Sequence, residues 1–248
     1  MIHQSQKSRI QDPRSLTHRG YRIKTILDET TAQNLIDALI DKTYPIEKLL
    51  KNGRSTYAAH LKIEGEDLVY KIPKARLKRL GEKLATLIRK GESIRTFHNL
   101  QLMLQLGFKA PIPLLAGEKR KRGCVVDSFC CYRFVDGNEA GPNDAQEVVT
   151  ELRRLHEMGY LRTDAKASNF LINKEGVTFI DFRLKKPVLF TGLKKNMELA
   201  RLARVYSESS EHIPMEIRDS TSFRLAARLE RKLLEIRKVR RRIKPKKV

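Results

Sequence analysis

The stretch Leu161-Arg162-Thr163-Asp164-Ala165-Lys166-Ala167-Ser168-Asn169-Phe170-Leu171-Ile172, followed by Val177-Thr178-Phe179-Ile180-Asp181-Phe182, decides the fold of this 248-residue chain. Asp164 and Asn169 are five apart, a spacing that lets both side chains converge from one loop. Two apolar runs follow, residues 170–172 and 177–180, separated by Asn173-Lys174-Glu175-Gly176. Apolar runs on either side of a glycine-containing turn read as a short hairpin. The hairpin returns Asp181 to the side of Asn169, although twelve residues separate the two. Asp164, Lys166, Asn169 and Asp181 thus fall within eighteen residues. Singly, an Asp or Asn is usually a turn former or a helix cap. As an ordered set, these residues are what phosphoryl transfer needs: a carboxylate beside the attacking hydroxyl, a cation near the moving phosphate, and an amide oxygen with a second carboxylate for magnesium.

Upstream residues extend the pattern. Leu68-Val69-Tyr70-Lys71-Ile72 is an apolar strand with one lysine, similar to the kinase strand whose lysine holds the α- and β-phosphates of a nucleotide. A strand lysine more often sits on a solvated face. Residues 49–57 and 58–62 before it read as a hairpin whose tip, containing Gly53, would cover phosphates with backbone N–H groups. With a single glycine, that tip reads equally well as an ordinary β-turn. Beyond Lys71, Ile94, Phe97, Leu100, Leu104 and Leu106 recur at helical intervals. Glu92, twenty-one residues past Lys71, is the glutamate expected to hold that lysine. It is preferred to Glu82, for which Lys78 is a solvated partner at i,i+4 spacing. Residues 125–135 form an apolar run ending at Asp136-Gly137, resembling the hinge on which adenine docks, with Val135 offering backbone groups to the base. Residues 144–158 read as an amphipathic helix, and His156 within it as a packed structural histidine.

The set Lys71, Glu92, Asp164, Lys166, Asn169 and Asp181, in this order and in a chain this short, resembles the lipopolysaccharide core heptose(II) kinase family, small bacterial protein-kinase-like sugar kinases. The likeness covers roughly residues 45–245, and only the block from Asp164 to Asp181 is specific. It implies an α+β, bilobal protein-kinase-like fold with a compressed C-lobe, no activation segment and a basic helical tail. Two positions depart from the kinase pattern. Arg162-Thr163 stand where His-Arg usually precede the catalytic Asp, and Arg183 replaces the glycine after Asp181-Phe182. Glycine there permits main-chain rearrangement. An arginine instead implies a fixed active conformation or a degenerate pseudokinase, and the retained charged positions favour activity.

Composition sets the outer limits. A chain with 40% hydrophobic residues buries one substantial core or two small lobes. No apolar run approaches eighteen residues and the first residues lack an apolar signal region, so a cytoplasmic location is expected. Cys124, Cys130 and Cys131 match no common zinc spacing and are expected as reduced thiols. The net charge of +22 demands an anionic partner or surface. Residues 224–248 carry twelve Lys or Arg against two Glu, over Leu225, Leu229, Leu233, Ile236 and Val239 at helical spacing. Such a helix lies on anionic lipid or packs its stripe on the C-lobe. Residues 119–122 and 183–186 are further basic clusters for the same membrane. Nucleic acid is the rival use of this charge, but aromatics are 6%, tryptophan is absent and no nucleic-acid-binding motif stands out.

The organisation expected is an N-terminal arm over 1–20, an N-lobe over 21–135, a C-lobe with the catalytic loop over 136–223, and a basic amphipathic helix and tail over 224–248. The resemblance implies an ATP- and Mg2+-dependent kinase, acting as a monomer on a heptose of the lipopolysaccharide inner core at the cytoplasmic face of the inner membrane. In it Asp164 and Lys166 are catalytic, Asn169 and Asp181 hold the metal, and Gly53, Lys71, Glu92 and Val135 serve the nucleotide. The alternatives are an atypical protein kinase acting on a ribosomal or RNA-associated protein, or a nucleic-acid-binding pseudokinase.

Overall fold

The computed structural model describes residues 12–75 and 80–243; of Leu80, Glu82 and residues 240–243 the backbone alone is described. Lys78 and residues 244–248 of the basic tail lie outside the described residues. The chain divides into two compact units, Met1–Val135 and Asp136–Val248.

The first unit is built on a seven-stranded antiparallel sheet of β1 (Arg14–His18), β2 (Tyr21–Thr25), β3 (Ile46–Asn52), β4 (Tyr57–Ile63), β5 (Glu66–Ile72), β6 (Pro113–Lys121) and β7 (Cys124–Arg133). Their spatial order is β1-β2-β6-β7-β5-β4-β3. β1 falls inside the stretch expected as an N-terminal arm. Helix α1 (Glu29–Asp41) starts where the Asp28 carboxylate accepts the Thr31 N–H, and this capping bond holds the Asp28 pKa below the usual range. Its Leu35, Ile36 and Leu39 recur at the 3.6-residue period and pack with Ile23, Leu61, Tyr70, Leu115 and Phe129. Gly117 is required where it stands, because a Cβ there would lie 2.8 Å from the Phe129 ring and 2.9 Å from Ile23. After the short α2 (Leu80–Ala85), α3 (Glu92–Gln105) packs Ile94 and Phe97 against Ala116 of β6 and Cys130 of β7.

In the second unit, β8 (Asn138–Glu139), β9 (Phe170–Asn173) and β10 (Gly176–Phe179) form a three-stranded sheet in the order β10-β9-β8. Around it are α4 (Ala145–Glu157), α5 (Thr191–Val205), the single turn α6 (Met215–Arg218) and α7 (Thr221–Ile243). α4 buries Ala145, Val148, Val149, Leu152, Leu155 and His156, as its spacing predicts. α7 divides the residues of its apolar stripe. Among its described side chains Ala226 and Glu230 are buried, Leu229 is half-buried, and Leu225, Leu233, Ile236 and Val239 are exposed. Most of the stripe therefore does not pack on the unit.

Candidate active site

The hairpin of β9 and β10 pairs Phe170 with Phe179 and Asn173 with Gly176. The Asn173 side chain accepts the Glu175 N–H across the two-residue turn, and Gly176 takes a positive φ of 102°. The Ile180 N–H donates to the Asn169 carbonyl at 3.1 Å, which fixes the residue before Asp181 against Asn169. Asn169 is buried, and its amide N–H donates to the Asp164 carbonyl at 2.9 Å. A carbonyl only accepts, so the amide nitrogen must face it, and Oδ1 is the atom left to meet a cation. Asp164, Lys166 and Asp181 are exposed. The structure thus brings together the four residues of the opening motif, with the main chain pinned beneath them and three charged side chains open to reactants.

Two residues of no evident catalytic type hold this loop. Glu198 of α5 is buried; its Oε1 accepts the Thr163 N–H at 2.5 Å, and its Oε2 accepts the Arg162 N–H at 3.1 Å and meets His156 Nε2 at 2.9 Å. Thr163 adopts a left-handed φ of 76°, unfavourable for a β-branched residue, so the Glu198 bonds stabilise a strained turn directly before Asp164. Arg162 is fully buried over the Phe170 ring (4.3 Å) and donates to the Ile180 carbonyl at 2.9 Å. Burial lowers its pKa to about 10, while the charges of Glu198, Asp164 and Asp181 act in the opposite direction. The guanidinium therefore lies in the field of both Asp164 and Asp181. Glu198 had a sequence signal: it is the single acid in a helix carrying Lys194, Lys195, Arg201 and Arg204, and it shares a face with Leu202.

In the first unit, Lys71 of β5 stands opposite Cys130 of β7. Directly opposed residues project to the same face, and Cys130 packs under Ile94 and Phe97, so Lys71 projects to the face covered by α3. Glu92 is the first residue of that helix and lies 3.7 Å from Arg95. Gly53 opens the β3–β4 tip and donates its N–H to the Thr56 carbonyl at 3.0 Å. Val135 is the last residue of the first unit. Glu118 was not anticipated. Buried on β6, it accepts the Gly91 N–H at 2.8 Å and the Arg120 Nε–H at 2.8 Å, anchoring the start of α3. Arg120 also donates to the carbonyls of Thr86, Gly123 and Arg89. It is a structural clamp, which removes it from the basic cluster assigned to a membrane.

No group of three or more His, Cys, Asp or Glu residues gathers as a metal site among the described residues. An amide oxygen and a carboxylate suit a hard cation whose remaining ligands come from phosphate and water, so Asn169 and Asp181 fit Mg2+. Cys130 and Cys131 are buried free thiols, and burial pushes the Cys130 pKa up to about 12, which makes it unreactive. No helix among the described residues is long and apolar enough to cross a membrane.

A family model described as lipopolysaccharide core biosynthesis protein (WaaY) matches residues 14–246. No curated protein sequence matches the chain. Among solved structures, the chain is similar to the Rio2 kinase of Chaetomium thermophilum in its ADP/Mg2+-phosphoaspartate complex, with a TM-score of 0.51 and 14% identity over 92% of this chain and 74% of that one. It is also similar to WaaP in complex with acyl carrier protein, with a TM-score of 0.48 and 14% identity over 79% of this chain and 85% of that one. An aminoglycoside phosphotransferase gives 0.49 and 10%, over 80% and 87% of the two chains. The likeness to the Rio2 kinase, at 14% identity, bears on the fold alone, which is protein-kinase-like. The family match is of another order, since it runs from the first strand into the basic tail and takes in the whole motif from Asp164 to Asp181. The chain is a phosphotransferase and belongs to the WaaY family of lipopolysaccharide core biosynthesis proteins.

Proposed function

We propose that the chain transfers the γ-phosphoryl group of ATP to a heptose hydroxyl of the lipopolysaccharide inner core, at the cytoplasmic face of the inner membrane. The observation that carries this reading is the exposed Asp164 carboxylate on a main chain pinned by Asn169 and Glu198. Asp164 orients the acceptor hydroxyl and takes its proton as the oxygen attacks phosphorus and the bond to the ADP oxygen breaks; such a base contributes about 10²–10⁴ in rate. Lys166 places its ammonium near the moving phosphoryl group. Lys71 serves the α- and β-phosphates, with Glu92 as its expected partner, while Gly53 and Val135 offer backbone groups to phosphate and base. Asn169 and Asp181 are the residues that would hold Mg2+, which neutralises phosphate charge when bound.

The membrane part of the proposal rests on α7. Its exposed Leu225, Leu233, Ile236 and Val239 are interleaved with exposed Arg224, Arg228, Arg231, Lys232 and Lys238. Val188, Leu189 and Phe190, also exposed, follow Lys185 and Lys186. Apolar side chains set among cations suit the headgroup boundary of an anionic leaflet, where each engaged cation adds about 1 kcal/mol. Incubation with γ-labelled ATP and Mg2+ and, separately, lipopolysaccharide core, casein and RNA tests the acceptor. Label is expected on core heptose; label on casein or RNA in its place refutes the proposal.

A further inference from the structure

α5 and α7 run side by side and are tied by Arg201, whose Nε and Nη2 donate to Glu230 at 3.1 and 2.6 Å while its Nη1 donates to the Thr163 carbonyl at 3.0 Å. Glu230 is buried, so this bidentate pair fixes α7 against the catalytic loop. Three residues along α5 from Arg201 comes Arg204, and seven residues along α7 from Glu230 comes Arg237. Those intervals keep each residue near the face of its predecessor, so both arginines sit on the facing sides of the two helices. Neither has a carboxylate partner among the described residues. Both line a cavity of about 440 Å³ whose wall also carries Asp164, Lys166, Arg201 and Glu139. That volume is in the range of small-molecule sites.

The proton of a neutral hydroxyl needs Asp164, the transferring phosphate needs Lys166, and Arg201 is neutralised by Glu230. Arg204 and Arg237 remain, two cations in the wall of the cavity that holds Asp164, against the one further carboxylate there, Glu139. We infer that Arg204 and Arg237 form a subsite that holds an oxyanion substituent of the acceptor, a phosphate or a carboxylate, beside Asp164. The inference rests on the sugar-kinase reading above. It gives the C-terminal helix a direct part in acceptor recognition.

The test uses the full chain with Arg204→Gln and Arg237→Gln, on inner-core oligosaccharide left intact, treated with phosphatase, or reduced at its carboxyl groups. Each variant is expected to raise the KM for intact acceptor about 10-fold or more, the value of a charge-assisted hydrogen bond. The KM for ATP should stay within about twofold. On the treated acceptor that has lost the recognised group, wild type and variants should converge, which tells phosphate from carboxylate. An equal loss on all three acceptors, or a rise confined to the KM for ATP, overturns the subsite. If wild type phosphorylates none of the three, the heptose reading fails and a second measurement decides the subsite by itself. Inorganic phosphate, against chloride of matched ionic strength, should then raise the melting temperature of the wild-type protein saturated with ADP and Mg2+, and leave the double variant unmoved. Equal response of the two proteins refutes it.

Discussion

Replacing Glu198 by Gln changes one oxygen to an NH2 group and removes one charge, yet the structure predicts a large effect. The carboxylate serves three groups: the Thr163 N–H on Oε1, and the Arg162 N–H with His156 Nε2 on Oε2. A carboxamide has one accepting oxygen. Its NH2 must face at least one backbone N–H, leaving that buried donor unsatisfied at about 1–3 kcal/mol. The remaining bonds fall from charge-assisted to neutral, about 1 kcal/mol more. Arg162 also loses the first of the three charges that offset its burial. The sum is about 3–5 kcal/mol, the usual cost of breaking a buried ionic contact. The expected fall in melting temperature is on the order of 10 °C. Turnover should fall about 10²-fold, because Thr163 sets the position of Asp164 and small misplacements of a catalytic group are that costly. Urea unfolding and initial rates of phosphoryl transfer measure the two effects. Glu157→Gln, at an exposed Glu 3.9 Å from Arg153, is the control and should change stability by less than about 0.5 kcal/mol. A Glu198→Gln protein within about 1 kcal/mol of wild type and threefold of its rate would show that this carboxylate does not hold the loop.

Asp181→Asn should abolish Mg-ATP-dependent transfer while leaving the melting temperature within a few degrees of wild type; transfer at the wild-type rate would refute the assignment. Asp164→Ala should lower the rate by orders of magnitude with nucleotide affinity nearly unchanged, whereas Lys71→Ala should weaken both, and nucleotide titration showing the reverse would exchange their roles. Burial, Lys90 and Lys24 hold the His98 pKa below its ordinary 6.5, so the unfolded chain binds the proton more readily; stability from this group is full above pH 6.5 and declines as pH falls through that value. His98→Gln should flatten that part of the urea-midpoint profile, and an unchanged slope would discount the histidine. The triple change Leu233→Gln, Ile236→Gln and Val239→Gln should reduce sedimentation with anionic liposomes without lowering the melting temperature, because these side chains are exposed. It is a cleaner test than truncation of the tail, which would also remove Arg237; a large fall in melting temperature would return the stripe to a packing role.

Periodicity and spacing made the hairpin, the helix over residues 145–157 and the grouping of Asp164, Asn169 and Asp181 legible, because each depends on residues close in sequence. Contacts across longer separations were not legible. Glu198 lies 35 residues from Thr163, and Glu230 lies 29 from Arg201. A lone acid in a basic helix signals that it has a partner, but not which one. Which of its two readings the α7 stripe would follow was not legible for a related reason. Apolar residues at helical spacing imply burial only where a partner of matching shape is present, and the partner helix offers Arg201, which takes Glu230. In a run of four basic residues, the neighbours of Arg120 in sequence suggested a membrane-facing cluster, whereas its hydrogen bonds run to Glu118 and to the carbonyls of Thr86, Arg89 and Gly123.

The two departures from the kinase pattern find a common physical account in the same contacts. Arg162 stands where a structural histidine is usual, and it links the loop, through Phe170 and the Ile180 carbonyl, to the residue before Asp181. Arg183 stands where glycine is usual, yet left-handed backbone occurs at Thr163 and Asp181 and not at position 183. No glycine is required there. Its N–H donates to the Arg162 carbonyl at 3.0 Å and its carbonyl accepts the Thr163 hydroxyl at 3.1 Å, so residues 162–163 and 183 are fastened to one another on both sides. A glycine hinge serves an enzyme that must be switched; here the segment after Asp181 is tied to the loop before Asp164. The strain of two left-handed residues costs stability, and the Glu198 and Arg162 contacts offset it. The result is a loop whose main chain is fixed before reactants arrive, the kind of preorganisation that electrostatic catalysis favours.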